Sequence, residues 1–345
     1  MFKRKACAAA VLAVAAMGSA GAQTSSVTLY GIADAAMEFR NNTPAGNQNL
    51  MRSGGLSGGR LGVRGSEDLG GGMRAQFTME SGLELDSGSA SDPSRFWNRQ
   101  SFVGLGGRWG DITLGRQYTA GFLVLAGYMP KGFALLYEPV ATVITARVNN
   151  AIVYDGKFDA VRVRAHYSLK DGSNLVGGDG STYGVAATVD VGQGSLAAVY
   201  DDFNGSLTAN GRPKRRLFAL AGKYQMDPVT LQAGWRQMKA QTETGAVALR
   251  DRFWWLGAAV RVTPLTELSV AYYRNDIAQR GPAFNPPTPQ QLSLWAIYSL
   301  SKRTQLYAAL AHARNAPLNF GFGGYTLGAG KDSQTGFALG MRHSF

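Results

Sequence analysis

Histidine and cysteine, the side chains that most often make or break covalent bonds, are scarce in this chain, which has three His and one Cys. A hydrolase needs a nucleophile or a water molecule activated by a base, and that base needs an orienting carboxylate. His166 lies between arginines, His312 near the end of an apolar segment and His343 in the last segment, so no two suggest a joint site. The sequence therefore predicts no catalytic set, no metal site and no cofactor.

Arginines are the residues whose spacing points to chemistry, and the chemistry is electrostatic. Arg60 and Arg64 share one parity, opposite to the apolar Leu61 and Val63, and Arg162 belongs to a similar alternating segment. A guanidinium is permanently charged and more weakly hydrated than an ammonium, so it binds anions without holding them long. These arginines are candidates for a site through which anions pass.

Two more arginines fit the same interpretation. Arg99 has the parity opposite to Phe102, and Arg147 the parity opposite to Val148. If the apolar residues face outward, both arginines face inward with Arg60 and Arg64. The alternative for each arginine is a structural role, either as a charged residue at the barrel rim or as the partner of a nearby carboxylate.

Acidic partners for the arginines are fewer. Glu138 lies in 118–146, the longest segment between predicted strands, and Glu80 and Asp34 are further candidates for an inward face. A carboxylate opposite the arginines would create a transverse field across a narrow gap. Glu138 is the best candidate for that position.

The elements that must position these side chains are β-strands. After residue 25 the chain repeats segments of about ten residues with apolar residues at every second position. In 161–169 one set is Val161, Val163, Ala165, Tyr167 and Leu169, and the other is Arg162, Arg164, His166 and Ser168. One face suits lipid and the other water, and strands in lipid must close into a barrel because an open edge has no water to bond.

The connections between segments alternate between tight turns and long loops, and the predicted long loops include 40–59 and 170–181. This alternation is typical of a transmembrane barrel with short periplasmic turns and long external loops. The count predicts an all-β, antiparallel transmembrane barrel of about sixteen strands, wide enough for an aqueous channel. A soluble β-sandwich also alternates, but its apolar face would point inward.

The N-terminus carries an export signal. Lys3, Arg4 and Lys5 precede an apolar stretch, and Ala20-Gly21-Ala22 is a small-residue cleavage site. We therefore expect a signal peptide over 1–22 and a barrel domain over 23–345. No later stretch reaches the roughly 18 apolar residues of a membrane-spanning helix.

The charge balance bears on partners. The net charge is +12, and removing the three signal cations leaves 32 Lys and Arg against 23 Asp and Glu, a net charge of +9. Export and the lack of a dense basic block argue against nucleic acid, which leaves anionic solutes or an anionic lipid surface. The single cysteine, Cys7, lies in the predicted signal, so the mature chain needs no disulfide.

Several stretches resemble the Gram-negative general porins of the β-proteobacterial branch. They are SVTLYG at 26–31, GRLGVRGSEDLG at 59–70, RQSFVGL at 99–105, TLGRQ at 113–117 and the terminal MRHSF at 341–345. The resemblance extends over essentially the whole mature chain. It implies a homotrimer of sixteen-stranded barrels, each with its third extracellular loop folded into the lumen.

The resemblance also implies which residues form the narrowest part of such a pore. Arg60, Arg99 and Arg147 match the family's basic cluster at the constriction. The third loop departs from the family pattern, since it has Tyr137-Glu138-Pro139 in place of a Pro-Glu-Phe-Gly-Gly run. The complete set of predicted constriction residues is Arg60, Arg64, Arg99, Arg147, Arg162 and Glu138.

The expected function is a water-filled channel in the bacterial outer membrane that passes ions and small hydrophilic solutes and prefers anions. Outer-membrane lipid and lipopolysaccharide would surround it. A substrate-selective channel for phosphate or small carboxylates is one alternative. A barrel protease or phospholipase is another, and the histidine placement speaks against it.

Overall fold

The computed structural model describes residues 25–169, 181–205 and 207–345. The predicted signal peptide, 1–22, and most of the loop predicted over 170–181 lie outside these ranges. The division into a signal and a barrel domain therefore stays a prediction.

The described chain is almost entirely strand, as the alternating pattern predicts. The strands are β1 (Ser25–Thr43), β2 (Gly46–Ser53), β3 (Arg60–Gly70), β4 (Met73–Gly82), β5 (Gln100–Gly107), β6 (Gly110–Tyr118), β7 (Arg147–Phe158), β8 (Val161–Ser168), β9 (Thr182–Val191), β10 (Gly194–Asn204), β11 (Lys214–Met226), β12 (Val229–Gln241), β13 (Val247–Thr263), β14 (Thr266–Arg280), β15 (Ala283–Phe284), β16 (Gln290–Ser299), β17 (Thr304–Arg314) and β18 (Ser333–Ser344). All belong to one antiparallel sheet.

These segments form sixteen barrel strands, because two of them do not add a position to the ring. β2 and β3 pair with different halves of β1 and together occupy one position, and β15 only extends the pairing of β14. β1 also pairs with β18, from Ile32 opposite Ser344 to Arg40 opposite Gly336. The sheet is thereby closed, and the predicted antiparallel sixteen-stranded barrel is confirmed.

The two faces of the barrel differ as the alternation predicts. Leu256 and Leu339 point outward and are well exposed, whereas Ala338 and Trp255 point inward and are buried. In β8, Tyr167 is exposed outward and His166 is buried inside. An apolar outer surface is what a barrel wall needs to face lipid.

One predicted loop contains a strand. The segment 40–59 was expected to be a long loop, but it holds β2, which returns along β1 after a tight turn that follows Thr43. Only 54–59 leaves the sheet, and its backbone turns into the lumen before β3 begins.

Three short helices interrupt the described strands: α1 (Ala120–Ala126), α2 (Val140–Val143) and a single 3-10 turn (Leu318–Gly321). The described helices include none with the length and apolarity to cross a membrane. α1 and α2 belong to 119–146, the segment between β6 and β7, which we call the inner loop. Thr119 caps α1 by accepting a hydrogen bond from the Phe122 N–H at 3.1 Å.

The inner loop lies inside the barrel and bonds to the wall in chain order. The Ala120 N–H donates to His166 Nδ1 of β8 at 3.2 Å, and Trp255 of β13 donates to the Tyr128 carbonyl at 2.9 Å. Farther along, Gln291 of β16 donates to the Tyr137 carbonyl at 2.8 Å. The buried apolar core sits between this loop and the wall, which contributes residues from β9 round to β18 and β1.

Candidate pore constriction

The passage through the barrel is bounded on one side by the inner loop and on the other by the wall that the loop leaves uncovered. Arg60 begins β3, Arg99 directly precedes β5 and Arg147 begins β7, all on that uncovered side. The loop is closed at its base, where the Thr119 N–H donates to the Ala146 carbonyl at 3.0 Å. The structure thus brings these three predicted arginines together on one side of the lumen.

Arg99 is the centre of the group. Its Nε donates to Glu80 Oε1 at 2.6 Å, and its Nη2 donates to the Tyr118 hydroxyl at 2.7 Å. Arg147 Nη2 donates to the same hydroxyl at 3.1 Å, and the Arg147 guanidinium lies 4.7 Å from the centre of the Tyr118 ring. The ring and its hydroxyl hold two like charges side by side.

Arg60 completes the group, although it touches neither of the other arginines directly. Its Nε donates to the Gly58 carbonyl at 3.1 Å, and its charge interacts with Glu80, Arg99 and Arg147. We call Arg60, Arg99 and Arg147 the arginine cluster. Glu80 is the carboxylate with which all three arginines interact electrostatically.

Two of the parity arguments for this cluster rest on the wrong neighbour. In β5 the outward residue is Val103, which is 57% exposed, so Phe102 faces inward and Arg99 reaches the lumen because it precedes the strand. In β7, Val148 is 1% exposed whereas Ile152 is 42% exposed. Asn150 lies between them with a φ of 46°, so the alternation does not run through from Arg147.

Arg64 lies beside the cluster, on the side of the short turns. Its guanidinium is 5.2 Å from the centre of the Tyr30 ring, and the Tyr30 hydroxyl donates to Glu80 Oε2 at 2.9 Å. Tyr30 therefore connects Arg64 to the carboxylate that neutralises part of the cluster.

Arg162 does not belong with the cluster. It is the second residue of β8, directly after the turn at 159–160, so it lies at the periplasmic opening. Its Nε and Nη2 both donate to Asp155, each at 2.6 Å, and Arg164 donates to the same carboxylate at 2.8 Å. The prediction of a constriction role for Arg162 is corrected. Parity in the sequence indicates which face of the barrel a side chain lies on but not its height, and the structure places Arg162 at the periplasmic mouth.

Glu138 does not face the arginines either, and the prediction that it lines the gap is wrong. Its side chain is 0% exposed and accepts hydrogen bonds from the Lys131 N–H at 3.0 Å, the Ala134 N–H at 2.9 Å and the Tyr273 hydroxyl at 2.9 Å. Burial raises the pKa of the Glu138 carboxyl, and these donors oppose that rise. Glu138 fixes the fold of the inner loop and ties it to β14.

The inner loop presents no unpaired charge to the passage. Its other charged residue, Lys131, is largely buried and contacts Glu267, and it donates to Ser269 Oγ at 2.8 Å. A basic wall therefore faces an apolar, neutral loop, and the predicted transverse field between loop acid and wall arginines is absent from the described residues.

The glycine-rich stretch before β3 has a structural role that the sequence did not show. Asp34 accepts hydrogen bonds from the Gly55 N–H at 2.9 Å, the Ser57 N–H at 2.7 Å and the Tyr307 hydroxyl at 2.5 Å. The Gly55 carbonyl in turn accepts the N–H groups of Leu135 and of the next residue, at 2.9 and 3.0 Å. A side chain at Gly55 would collide with Tyr307, so glycine is needed where the bend supports the loop tip.

Tyr118 and Tyr30 are the site residues that the sequence analysis did not single out. Tyr118 accepts hydrogen bonds from both Arg99 and Arg147 and so connects them to each other. Tyr30 lies against Arg64 and donates to Glu80. The only signal in the sequence was a tyrosine close to a strand end, which is shared by many residues of this chain.

A closed antiparallel barrel with an apolar outer face, a loop folded into its lumen and arginines at the gap defines a membrane channel. The sequence model of the Gram-negative porin family matches residues 8–317, and the chain belongs to that family. It is an outer-membrane protein.

Curated relatives and solved structures agree with this assignment over nearly the whole chain. Outer membrane porin protein 32 of Delftia acidovorans is 30% identical, with 97% of this chain and 98% of the relative covered. An outer membrane porin protein of Bordetella pertussis is 27% identical, with 99% and 100% covered. The structure of an anion-selective porin from Comamonas acidovorans is similar with a TM-score of 0.80 and 28% identity, covering 93% of this chain and 100% of that chain.

Proposed function

We propose that this porin is a passive channel for small hydrophilic solutes whose arginine cluster makes it prefer anions. The observation that supports this most directly is the local charge balance: three guanidinium groups share one carboxylate, Glu80, opposite a loop without an unpaired charge. The solved porin from Comamonas acidovorans is itself described as anion-selective.

The physical reason is the energy of an ion in the gap. At about 4 Å a single charge changes the energy of an ion by about 1 kcal/mol even in bulk water, and by more where water is partly excluded. The excess positive charge of the cluster therefore raises the local anion concentration and lowers that of cations. Arg64 continues the positive wall below the constriction.

The first prediction tests the cluster directly. In planar bilayers with a KCl gradient, the reversal potential of the wild-type channel should show anion preference. The triple variant Arg60→Gln, Arg99→Gln and Arg147→Gln should lower the anion-to-cation permeability ratio by about five-fold or more. The triple variant Arg108→Gln, Lys302→Gln and Arg303→Gln removes three cations from exposed turns at the periplasmic end and serves as the control.

A wild-type channel that prefers cations would contradict the proposal. So would a folded triple variant with unchanged selectivity. The same recordings distinguish the alternative function, because concentration-dependent block by phosphate or a small carboxylate would favour a substrate-selective anion channel. Unblocked ohmic current favours general diffusion.

We also propose that the channel is a homotrimer that associates through the outer face around β1. Ala33 and Ala35 point outward there, and their small side chains allow another barrel wall to approach closely. Close approach increases dispersion contacts between the walls.

A further inference from the structure

The outer surface of β11 to β14 carries positive charges at the end where the long loops begin. Residues on this face alternate with the buried, inward Leu217, Met238 and Phe253, so their outward direction follows from the strand geometry. The outward cations are Lys214, Arg216, Lys239, Arg250, Arg252 and Arg274.

Three of these cations stand in one row across the sheet. Arg216 is directly opposite Lys239, and Lys239 is directly opposite Arg250. Neighbouring strands are only about 4.8 Å apart, and like charges directly opposite each other destabilise a sheet. We call Arg216, Lys239 and Arg250 the cationic row.

The carboxylates near the row pair with only one of its three members. Asp202 binds Arg216 at 2.7 Å, and Asp276, although opposite Arg252, binds Arg274 at 2.7 Å. Among the described residues, neither Lys239 nor Arg250 has a carboxylate within salt-bridge distance. A repulsive row retained on an outer surface calls for an anion from outside the chain.

Aromatic side chains lie below the row, toward the middle of the barrel. Trp235 is directly opposite Trp254, and Phe218 lies diagonally across from Trp235, with ring centres 6.0 and 6.1 Å apart. Trp and Tyr rings concentrate at the level where lipid tails meet headgroups. Arg216 lies two residues from Phe218 along its strand, and Lys239 and Arg250 lie four residues from Trp235 and Trp254, or about 7 and 13 Å, which places the cationic row at headgroup height.

A cleft of about 350 Å³ opens beside the row. Arg250, Arg252 and Gln237 contribute donors to its lining, and Pro286 of the following loop forms part of the opposite side. Asp276 also lines it, but its carboxylate is paired with Arg274. Planar guanidinium groups bind phosphate oxygens in pairs, which suits a phosphate group entering this cleft.

We propose that the cationic row and its cleft bind the phosphate groups of lipopolysaccharide in the outer leaflet, with the acyl chains lying over Phe218, Trp235 and Trp254. The surface is on the lipid side of the wall, at the end of the long loops, and it joins a cationic band to an aromatic band. The proposal uses the orientation of an outer-membrane barrel and does not depend on ion selectivity.

The test is binding of fluorescent diphosphoryl lipid A to the full, detergent-folded protein, compared with lipid A from which the phosphates have been removed. The triple variant Lys239→Gln, Arg250→Gln and Arg252→Gln should bind diphosphoryl lipid A at least about ten-fold more weakly, and wild type should bind the dephosphorylated lipid as weakly. The control variant Arg108→Gln, Lys302→Gln and Arg303→Gln removes three exposed cations from the periplasmic turns. It should bind like wild type.

Heat-dependent gel mobility verifies that each variant is folded, and conductance recordings verify that the pore is intact. Equal lipid A affinity of wild type and of the folded variant Lys239→Gln, Arg250→Gln and Arg252→Gln would overturn the proposal. Equal binding of phosphorylated and dephosphorylated lipid would also overturn it. Inorganic phosphate that binds the same residues as tightly as lipid A would assign the site to a free ion instead.

Discussion

At the scale of single residues, the proposed constriction is a balance between three arginines and one glutamate. Glu80 accepts from Arg99 and from Tyr30 and lies almost completely buried in the wall. Its negative charge holds the cluster in place and at the same time weakens its field. These two effects can be separated, because an amide keeps the acceptor oxygen and loses the charge.

Glu80→Gln should therefore strengthen anion preference. Removing one negative charge at about 4 Å changes an ion's energy by about 1 kcal/mol in water, which corresponds to as much as a five-fold rise in the permeability ratio. Reversal potentials in a KCl gradient measure it. Asp159→Asn, in an exposed periplasmic turn, is the matched control, since asparagine also tolerates the φ of 50° found there.

If the Glu80→Gln channel had the same anion preference as wild type, or a weaker one, Glu80 would act mainly by positioning Arg99. The Arg99 guanidinium would then have moved out of the gap when its charged partner disappeared.

At the scale of elements, the inner loop is positioned by bonds distributed around the wall. Its tip rests on the Gly55 carbonyl, its middle on Tyr273 through Glu138, and its start on His166. Because backbone groups inside a barrel must all find partners, each of these anchors fixes several neighbouring donors and acceptors. The width of the pore depends on these anchors as much as on the arginines.

Tyr273→Phe removes the hydroxyl that donates to Glu138 and should loosen the loop. A buried acceptor left with fewer donors costs about 1–3 kcal/mol, so we expect a lower free energy of unfolding and noisier open-channel current. Urea titration in detergent and single-channel recording measure the two effects. Tyr272→Phe is the control, because that hydroxyl lies outside and donates to Gln290 at 3.0 Å.

Identical stability and noise in the two tyrosine variants would show that the Lys131 and Ala134 N–H groups suffice to hold Glu138. The Tyr273 bond would then have no part in positioning the loop.

At the scale of the whole molecule, closure joins the two ends of the chain. The Gly31 and Phe345 backbones exchange two hydrogen bonds, both of 3.1 Å, and the Phe345 ring covers Gly31 so closely that a side chain there would collide with it. The seam lies beside Ala33 and Ala35, the face proposed to associate. The cationic row lies on β11 to β14, on another part of the circumference.

Ala35→Trp should disrupt the proposed trimer, because a bulky ring on this face separates the barrel walls. Ala187→Trp makes the same change on β9, far from β1 around the ring, and should leave association intact. Native gels and chemical crosslinking of the unheated protein report the oligomer. A trimer that persists in Ala35→Trp, or is lost equally in both variants, would contradict this choice of face.

The sequence by itself determined the class of fold, because alternation with a period of two dictates which side chains face lipid and which face water. That physical constraint is local, so residues such as Tyr167 and His166 could be assigned to opposite faces without knowledge of any partner strand. It also determined that arginines line the interior, and the family resemblance selected Arg60, Arg99 and Arg147 among them.

Only the tertiary structure decided the height and the partner of each charge. Arg162 has the parity of the inner face but lies at the periplasmic mouth. Glu138 belongs to the inner loop, as predicted, but its carboxylate accepts backbone N–H groups of that loop and does not face the arginines. The cationic row exists only because the register places Arg216, Lys239 and Arg250 side by side. Strand register and loop folding depend on contacts between residues distant in sequence, and a period of two contains no information about them.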